Sequence, residues 1–129
     1  MVAVDTNVLV RFLVRDDVKQ AARAASLLRA EEIWISKTVL LETEWVLRSL
    51  YGFSTHSLAG ALRALAGLRT VFLEDGLAVA KALDWFKEGL DFADALHLAS
   101  VEGATQFATF DRKLAKQVKR ATALEPIPL

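Results

Sequence analysis

The chain opens on the stretch Val2-Ala3-Val4-Asp5-Thr6-Asn7-Val8-Leu9, in which a short apolar run ends at an aspartate and two further polar residues. The run before Asp5 predicts a strand, because β-branched residues favour extended backbone. Asp5-Thr6-Asn7 predicts a turn into a helix, with Thr6 or Asn7 able to cap it. A strand that passes directly into a helix is the repeating unit of α/β proteins with a parallel sheet, and this stretch therefore sets the expected fold class.

The same alternation continues along the chain. Further strands are predicted at 33–35, at 71–72, at 106–110 and, more weakly, near Ala123-Leu124. Helical patterns are predicted from Val18 to Leu28, from Ser36 to about Leu50, from Ser54 or Thr55 onward, over about 75–88 and 91–102, and after Asp111. Short strands between longer helices indicate an α/β fold with a largely parallel sheet.

Length and composition limit the classes of protein that fit. A chain of 129 residues with 53% hydrophobic residues predicts one domain over 1–129. The 16 basic residues balance the 16 acidic ones, so any contact with nucleic acid must be local. With no cysteine there is no disulfide framework or thiolate metal site, which favours a cytoplasmic location. We expect no targeting segment, because charged Asp5 and Arg11 interrupt the apolar start, and no membrane span, because no uncharged run reaches bilayer length.

Four acidic residues stand out by their local setting: Asp5, Glu42, Asp94 and Asp111. Asp5 and Asp111 each follow a predicted strand, at the edge of an α/β sheet where ligands bind. Asp94 shares a helical face with apolar Leu98. A carboxylate in such a setting must be paired, protonated or bound to a cation, although either strand-end aspartate could instead cap a helix. Carboxylate and hydroxyl oxygens suit Mg²⁺ or Mn²⁺, so the sequence predicts a magnesium or manganese site.

Neighbouring acidic residues receive different interpretations. By helical rotation Glu42 should lie on the apolar flank of its helix beside Trp45, where a free carboxylate is costly. Glu44 should form a solvated ion pair with Arg48 at i+4 and is not taken as part of the site. Asp91 should either cap its helix or assist Asp94 at i+3.

Basic and aromatic residues offer weaker signals. The segment after Asp111 is either a solvated helix face or a contact for a phosphate backbone, and its basic residues are Arg112, Lys113, Lys116, Lys119 and Arg120. The two histidines, His56 and His97, are expected to be structural, and His97 is expected among apolar residues. The three tryptophans, Trp34, Trp45 and Trp85, are expected to pack in the core.

Four stretches together resemble the motifs of PIN domains, and the closest likeness is to VapC-type toxins of prokaryotic toxin–antitoxin pairs. The stretches are 2–9, 39–48, 91–96 and 108–111, and the likeness spans essentially the full length. The resemblance implies a three-layer α/β/α domain with a central, mostly parallel sheet of four to five strands. It implies an acidic quartet of Asp5, Glu42, Asp94 and Asp111, supported by the hydroxyls of Thr6 and Thr109.

The resemblance also implies an activity, namely a Mg²⁺- or Mn²⁺-dependent endoribonuclease. Asp5 and Asp94 would be the primary metal ligands, Glu42 would ligate metal or orient the attacking water, and Asp111 would complete a second, weaker position. Products would carry a 5′-phosphate and a 3′-hydroxyl. Partners would be RNA, a cognate VapB-type antitoxin and a second copy of the chain.

Two alternatives remain open at this stage. An aspartate-nucleophile phosphohydrolase would use an aspartate after the first strand, but it normally needs a second carboxylate two residues on, where this chain has Asn7. An inactive PIN-fold module could bind RNA or protein without cleaving anything. The intact acid set argues against that second alternative.

Overall fold

Strands and helices alternate throughout the computed structural model, which describes residues 1–129. The strands are β1 (Val2–Ala3), β2 (Ile33–Ile35), β3 (Val71–Leu73), β4 (Gln106–Thr109) and β5 (Glu125–Pro128). The helices are α1 (Thr6–Val14), α2 (Val18–Ala30), α3 (Lys37–Ser49), α4 (Thr55–Ala66), α5 (Gly76–Lys87), α6 (Phe92–Ala99) and α7 (Arg112–Ala121). The structure therefore confirms the predicted α/β class.

All strand pairs are parallel, and the strands form two sheets instead of one continuous sheet. One sheet has the order β1-β2-β3, with Val2 opposite Ile33 and Ile33 opposite Val71, and the other pairs β4 with β5. The backbone N–H groups of Val2 and Val4 both donate to the β2 side, to Glu32 and Trp34 carbonyls. Because N–H groups alternate along a strand, the very short β1 has almost nothing left to bond on its other edge.

Strand β5 lies slightly later than the predicted Ala123-Leu124 and contains both prolines of the chain. The N–H groups of Glu125 and Leu129 donate to the carbonyls of Thr105 and Thr109. Pro126 and Pro128 alternate with these donors and so face away from β4, which costs no ladder hydrogen bond. The prolines were therefore compatible with a strand, provided that it lies at an edge.

Helix boundaries differ from the sequence prediction at three places. Asp5, and not Thr6 or Asn7, caps α1, and its side chain accepts a hydrogen bond from the backbone of Val8. The helical pattern that follows breaks at Arg15, whose φ of 61° ends α1 in the left-handed conformation, and Asp17 caps α2. The last predicted helix before β4 also ends early, at Ala99.

One core cluster of 22 buried residues joins the first sheet to the helices. Trp85 packs against this core as predicted, but Trp34 and Trp45 are 38% and 52% exposed, so their predicted core role was wrong. Trp34 points outward because Ile33 and Ile35, on either side of it, face the core. His97 is exposed, contrary to its expected apolar setting, and His56 is exposed too. No helix is long and apolar enough to span a membrane.

We expect Leu83→Ala to lower the free energy of unfolding by about 2–5 kcal/mol, because the Leu83 side chain is 2% exposed and its loss leaves a cavity. Leu77 lies on the same helix, α5, and is 82% exposed, so Leu77→Ala should change that free energy by less than about 0.5 kcal/mol. Urea unfolding followed by circular dichroism measures both. Equal losses in the two variants would contradict the position of α5 on the core.

Candidate functional site

Two of the predicted acids begin helices directly after strands. Asp5 follows β1 and accepts a hydrogen bond from the Val8 N–H at 3.2 Å through Oδ1. Asp111 follows β4 and accepts from the N–H groups of Lys113 and Leu114 at 2.9 and 3.2 Å, again through Oδ1. Each carboxylate therefore caps a helix, and in each the second oxygen remains free of protein hydrogen bonds. Capping and ligand binding are compatible at both residues.

A short hydrogen bond joins the start of α1 to α3. The hydroxyl of Thr6, a buried residue, donates to Oε1 of Glu42 at 2.5 Å. Glu42 itself is exposed, so the expectation that it lies on the apolar flank of its helix was wrong. The buried residues of α3 are instead Leu40, Thr43, Glu44 and Leu47.

Glu44 forms the predicted ion pair with Arg48, but the pair is not solvated at both ends. The Glu44 side chain is only 2% exposed, while that of Arg48 is 45% exposed. Nε and Nη2 of Arg48 donate to the two carboxylate oxygens at 2.8 and 3.4 Å. The hydrogen bond to Glu44, and next the Glu44 charge, raise the pKa of Arg48, with a smaller contribution from Asp91.

The tightest group of acids lies between α6 and α7. Asp91, Asp94 and Asp111 line one cavity of about 330 Å³, together with Arg48 and Lys113. Asp91 caps α6, as one of its two predicted roles required, by accepting from the Asp94 N–H at 3.2 Å. Burial of Asp94, then the charges of Asp91 and Asp111, raise the pKa of the Asp94 carboxyl above its ordinary 3.8, although His97 lowers it. The carboxyl of Asp94 is thus the one most destabilised by its neighbours.

The remaining acids occupy neighbouring cavities. Glu42 lines a cavity of about 400 Å³ whose other lining residues include Trp45, Arg48 and Ala93. Asp5 lies in a third cavity, of about 460 Å³, with Arg11 and other residues of α1 and α2. No three Asp, Glu or His side chains lie close enough together to hold one ion. The structure thus gathers Asp91, Asp94 and Asp111, and links Glu42 to the start of α1 through Thr6, without merging the quartet into one cluster.

The donor chemistry of these residues nevertheless suits a hard divalent ion. Asp5 and Asp111 each keep a free carboxylate oxygen, and crowding of negative charge at Asp94 is the electrostatic situation that a bound cation relieves. Thr109 has a different task, because its hydroxyl accepts a hydrogen bond from the Asp111 N–H at 3.0 Å and so shapes the turn into α7.

The basic residues of α7 divide by position. Lys113 lines the cavity of the three aspartates, and its ammonium group donates to the Gly89 carbonyl at 3.0 Å. Lys113 and Lys116 also line an adjoining cavity of about 260 Å³ with Arg120. Arg112 is exposed and lines neither cavity. Sequence reasoning missed Arg48, which lines both the Glu42 cavity and the aspartate cavity.

The parallel α/β fold with acids at strand ends defines a class of domains that bind ligands at this edge of the sheet. The sequence matches the PIN domain family over residues 2–120, and the chain belongs to that family. PIN domains are commonly nucleases, and PIN-domain nucleases typically use a divalent metal. Neither the comparison with curated proteins nor that with solved structures gave a match.

We expect Asp94→Asn to raise the free energy of unfolding at neutral pH. The folded pKa of Asp94 is raised, so the folded state binds more protons than the unfolded state from about pH 3.8 up to the raised pKa. Across that window the wild-type protein loses stability as pH rises, and above it the loss is complete. The variant should lack this loss, which urea unfolding from pH 3 to 8 measures.

Glu102→Gln is the matched control, because Glu102 is exposed and lies outside these cavities. Parallel pH profiles for wild type and Asp94→Asn would show that like charges do not destabilise the folded state at Asp94.

Proposed function

We propose that the chain is a VapC-type endoribonuclease, a single PIN domain over 1–129 that acts in the cytoplasm and depends on Mg²⁺ or Mn²⁺. The observation that supports this most is the cavity shared by Asp91, Asp94 and Asp111, where burial and like charge raise the pKa of Asp94. A destabilised carboxylate beside two other carboxylates in a cleft is typical of a functional site, and this arrangement favours a bound cation over covalent chemistry. Family membership supplies the second support.

In this proposal each acid has a separate role. Asp5 and Asp94 would be the primary ligands of the ion, from their neighbouring cavities, and Asp111 would contribute to a second position. Glu42 would ligate the ion or orient the attacking water, and the Thr6 hydroxyl fixes its carboxylate at 2.5 Å. Asp91 supports Asp94 through the cap of α6. When bound, a divalent ion would activate water and offset the charge that develops on the scissile phosphate.

The reaction class follows from which groups are available. The chain has no cysteine, and neither histidine lies in the cavities of the acids, so water is the nucleophile in this proposal. Attack by water on phosphorus breaks the bond between phosphorus and the 3′-oxygen, and the departing 3′-oxygen takes up a proton, which leaves a 5′-phosphate and a 3′-hydroxyl. This outcome separates the proposed route from RNA cleavage through the 2′-hydroxyl, which leaves a 3′-phosphate.

The partners belong to the same proposal. RNA is the substrate, a VapB-type antitoxin neutralises the enzyme, and the active form is a homodimer. Antitoxin binding over the acidic cavities would exclude RNA directly.

The basic start of α7 should contact the RNA backbone. We expect the triple variant Arg112→Gln, Lys113→Gln, Lys116→Gln to bind RNA at least about tenfold more weakly, and to lower the slope of log affinity against log salt by about 1 to 3, because up to three phosphate contacts are lost. Fluorescence anisotropy at several salt concentrations measures both quantities. Unchanged affinity and slope would assign these residues to a solvated helix face.

Cleavage of a mixed cellular RNA pool tests the activity itself. We expect purified protein to cut RNA with Mg²⁺ or Mn²⁺ and to stop with EDTA. The Asp5→Asn and Asp94→Asn variants should each lose about 100-fold or more of the rate. Asparagine still caps a helix well, so Asp5→Asn tests the charge with little change in folding.

Glu102→Gln again provides the control and should cut at the wild-type rate. If the Asp variants cut as fast as wild type, the activity is a contaminant and the proposal fails. RNA binding without cleavage under either metal would favour the inactive-module alternative. Release of phosphate from small phosphoesters would favour the aspartate-nucleophile phosphohydrolase.

A further inference from the structure

Arg48 is the one residue that lines both the Glu42 cavity and the cavity of Asp91, Asp94 and Asp111. It lies on α3, one turn after Glu44 and near the end of the helix. A strand of RNA that contacts Glu42 in one cavity and Asp94 and Asp111 in the other would lie beside Arg48, the residue common to both linings. Arg48 is therefore placed on the path of the substrate backbone.

The Arg48 guanidinium is fixed in position by a buried partner. Glu44 is 2% exposed and engages Nε and Nη2, whereas Nη1 donates no hydrogen bond within the protein. Nearly half of the Arg48 side chain remains exposed. A guanidinium that is anchored on one edge and open on the other is well suited to a phosphate, because its planar fork matches two phosphate oxygens.

The charge around the two cavities calls for such a cation. Four carboxylates line them besides Glu44, from Glu42, Asp91, Asp94 and Asp111. The other lysine or arginine in these linings is Lys113, which lines the aspartate cavity alone, so Arg48 is the one Lys or Arg that lines the Glu42 cavity. An RNA phosphate that enters this acidic surface needs a positive side chain close to its path.

We propose that Arg48 binds a backbone phosphate of single-stranded RNA at the junction of the two cavities, and that buried Glu44 is the positioning residue that holds Arg48 there. This inference rests on the proposed function, because it takes RNA as the substrate of the acidic site. It adds a specific phosphate subsite that the acid quartet does not supply.

The test uses RNA binding in EDTA, where no cleavage occurs. The probe is a short fluorescein-labelled single-stranded RNA of mixed sequence, and anisotropy is measured over a range of salt. Arg48→Gln alone leaves the Glu44 charge buried and unpaired, so the main variant is Glu44→Gln with Arg48→Gln. Urea unfolding verifies that this double variant is folded.

We expect the double variant to bind RNA about tenfold more weakly and to lower the salt slope by about 1, as for one lost phosphate contact. Glu44→Gln alone should keep the slope, because the charge of Arg48 remains, but weaken binding about threefold through looser placement. Arg69→Gln is the matched control. Arg69 is exposed and lies just before β3, at the end of the sheet opposite to the strand end that Asp5 follows. Its affinity should change by less than about twofold.

A phosphate-by-phosphate measurement separates a direct contact from a structural role. One methylphosphonate linkage, flanked by 2′-O-methyl sugars, is moved along the RNA to neutralise one phosphate at a time. At one position of the methylphosphonate, the wild-type protein should bind the RNA more weakly than it binds the unmodified RNA. The double variant should bind the modified and unmodified RNAs equally well at that position. A merely structural effect would weaken binding to every RNA and keep the loss at that position.

Wild-type affinity and slope in the double variant, or a position-specific loss that persists in it, would overturn the inference. The proposed nuclease can fail separately. Arg48-dependent binding without cleavage under Mg²⁺ or Mn²⁺ would leave the phosphate subsite standing and reject the nuclease. Cleavage by wild type with no change of RNA binding in the double variant would support the nuclease and reject the phosphate subsite.

Discussion

The structure of the acidic site depends on carboxylates that begin helices. Asp5, Asp91 and Asp111 each accept backbone N–H hydrogen bonds from the first turn of α1, α6 and α7. The positive end of the helix dipole and these N–H groups both favour the ionised carboxylate. Each cap also fixes where a negative charge lies relative to the preceding strand or turn. Folding of the helices and assembly of the acidic surface are therefore the same process.

Asp94 is held in a different way and bears the electrostatic cost. It does not cap a helix, and α6 carries it into place because Phe92, Ala95, Leu96 and Leu98 on the same helix are buried. Burial of its carboxyl, and then the charges of Asp91 and Asp111, raise the pKa of Asp94. Core packing of α6 keeps Asp94 in the cavity, and His97 offsets only part of the electrostatic cost. Functional sites are where a side chain is expected to be held by the fold in an electrostatically unfavourable position.

The sequence predicted the parts of this site that local chemistry decides. Asp5 and Asp111 end strands, and the carboxyl ends of strands are where an α/β fold presents ligands, so their location followed from pattern alone. The cap at Asp91 could be predicted from the Gly89-Leu90 break before it. The α/β class followed from the alternation of strands and helices, whereas the PIN-like fold was implied by the resemblance of four stretches to PIN motifs, and the family match bears it out.

Other features depend on tertiary contacts and could not be predicted in this way. The division of the strands into two sheets, with a β1 of only two residues, is one such feature. Rotation along α3 gives the angle between Glu42 and Glu44, but it does not say which of them faces the core. Glu44 lies between Leu40 and Leu47 as well as beside Arg48, and the buried pattern Leu40-Leu47 at i, i+7 was the signal that could have assigned it. Trp34 had no such signal, because a three-residue strand can turn either face inward.

The Glu44–Arg48 pair is hard to explain by stability alone. A buried carboxylate loses its hydration, and replacing a buried ion pair with apolar residues is often neutral or stabilising. Leu40 and Leu47 show that this stripe of α3 already accepts leucine on either side of Glu44. The pair does hold the guanidinium in one position. An exposed partner would restrict the arginine much less, and its rotamer entropy is worth about 2 kcal/mol. A buried anchor under an exposed cation adds more to the geometry of the acidic surface than to the stability of the fold.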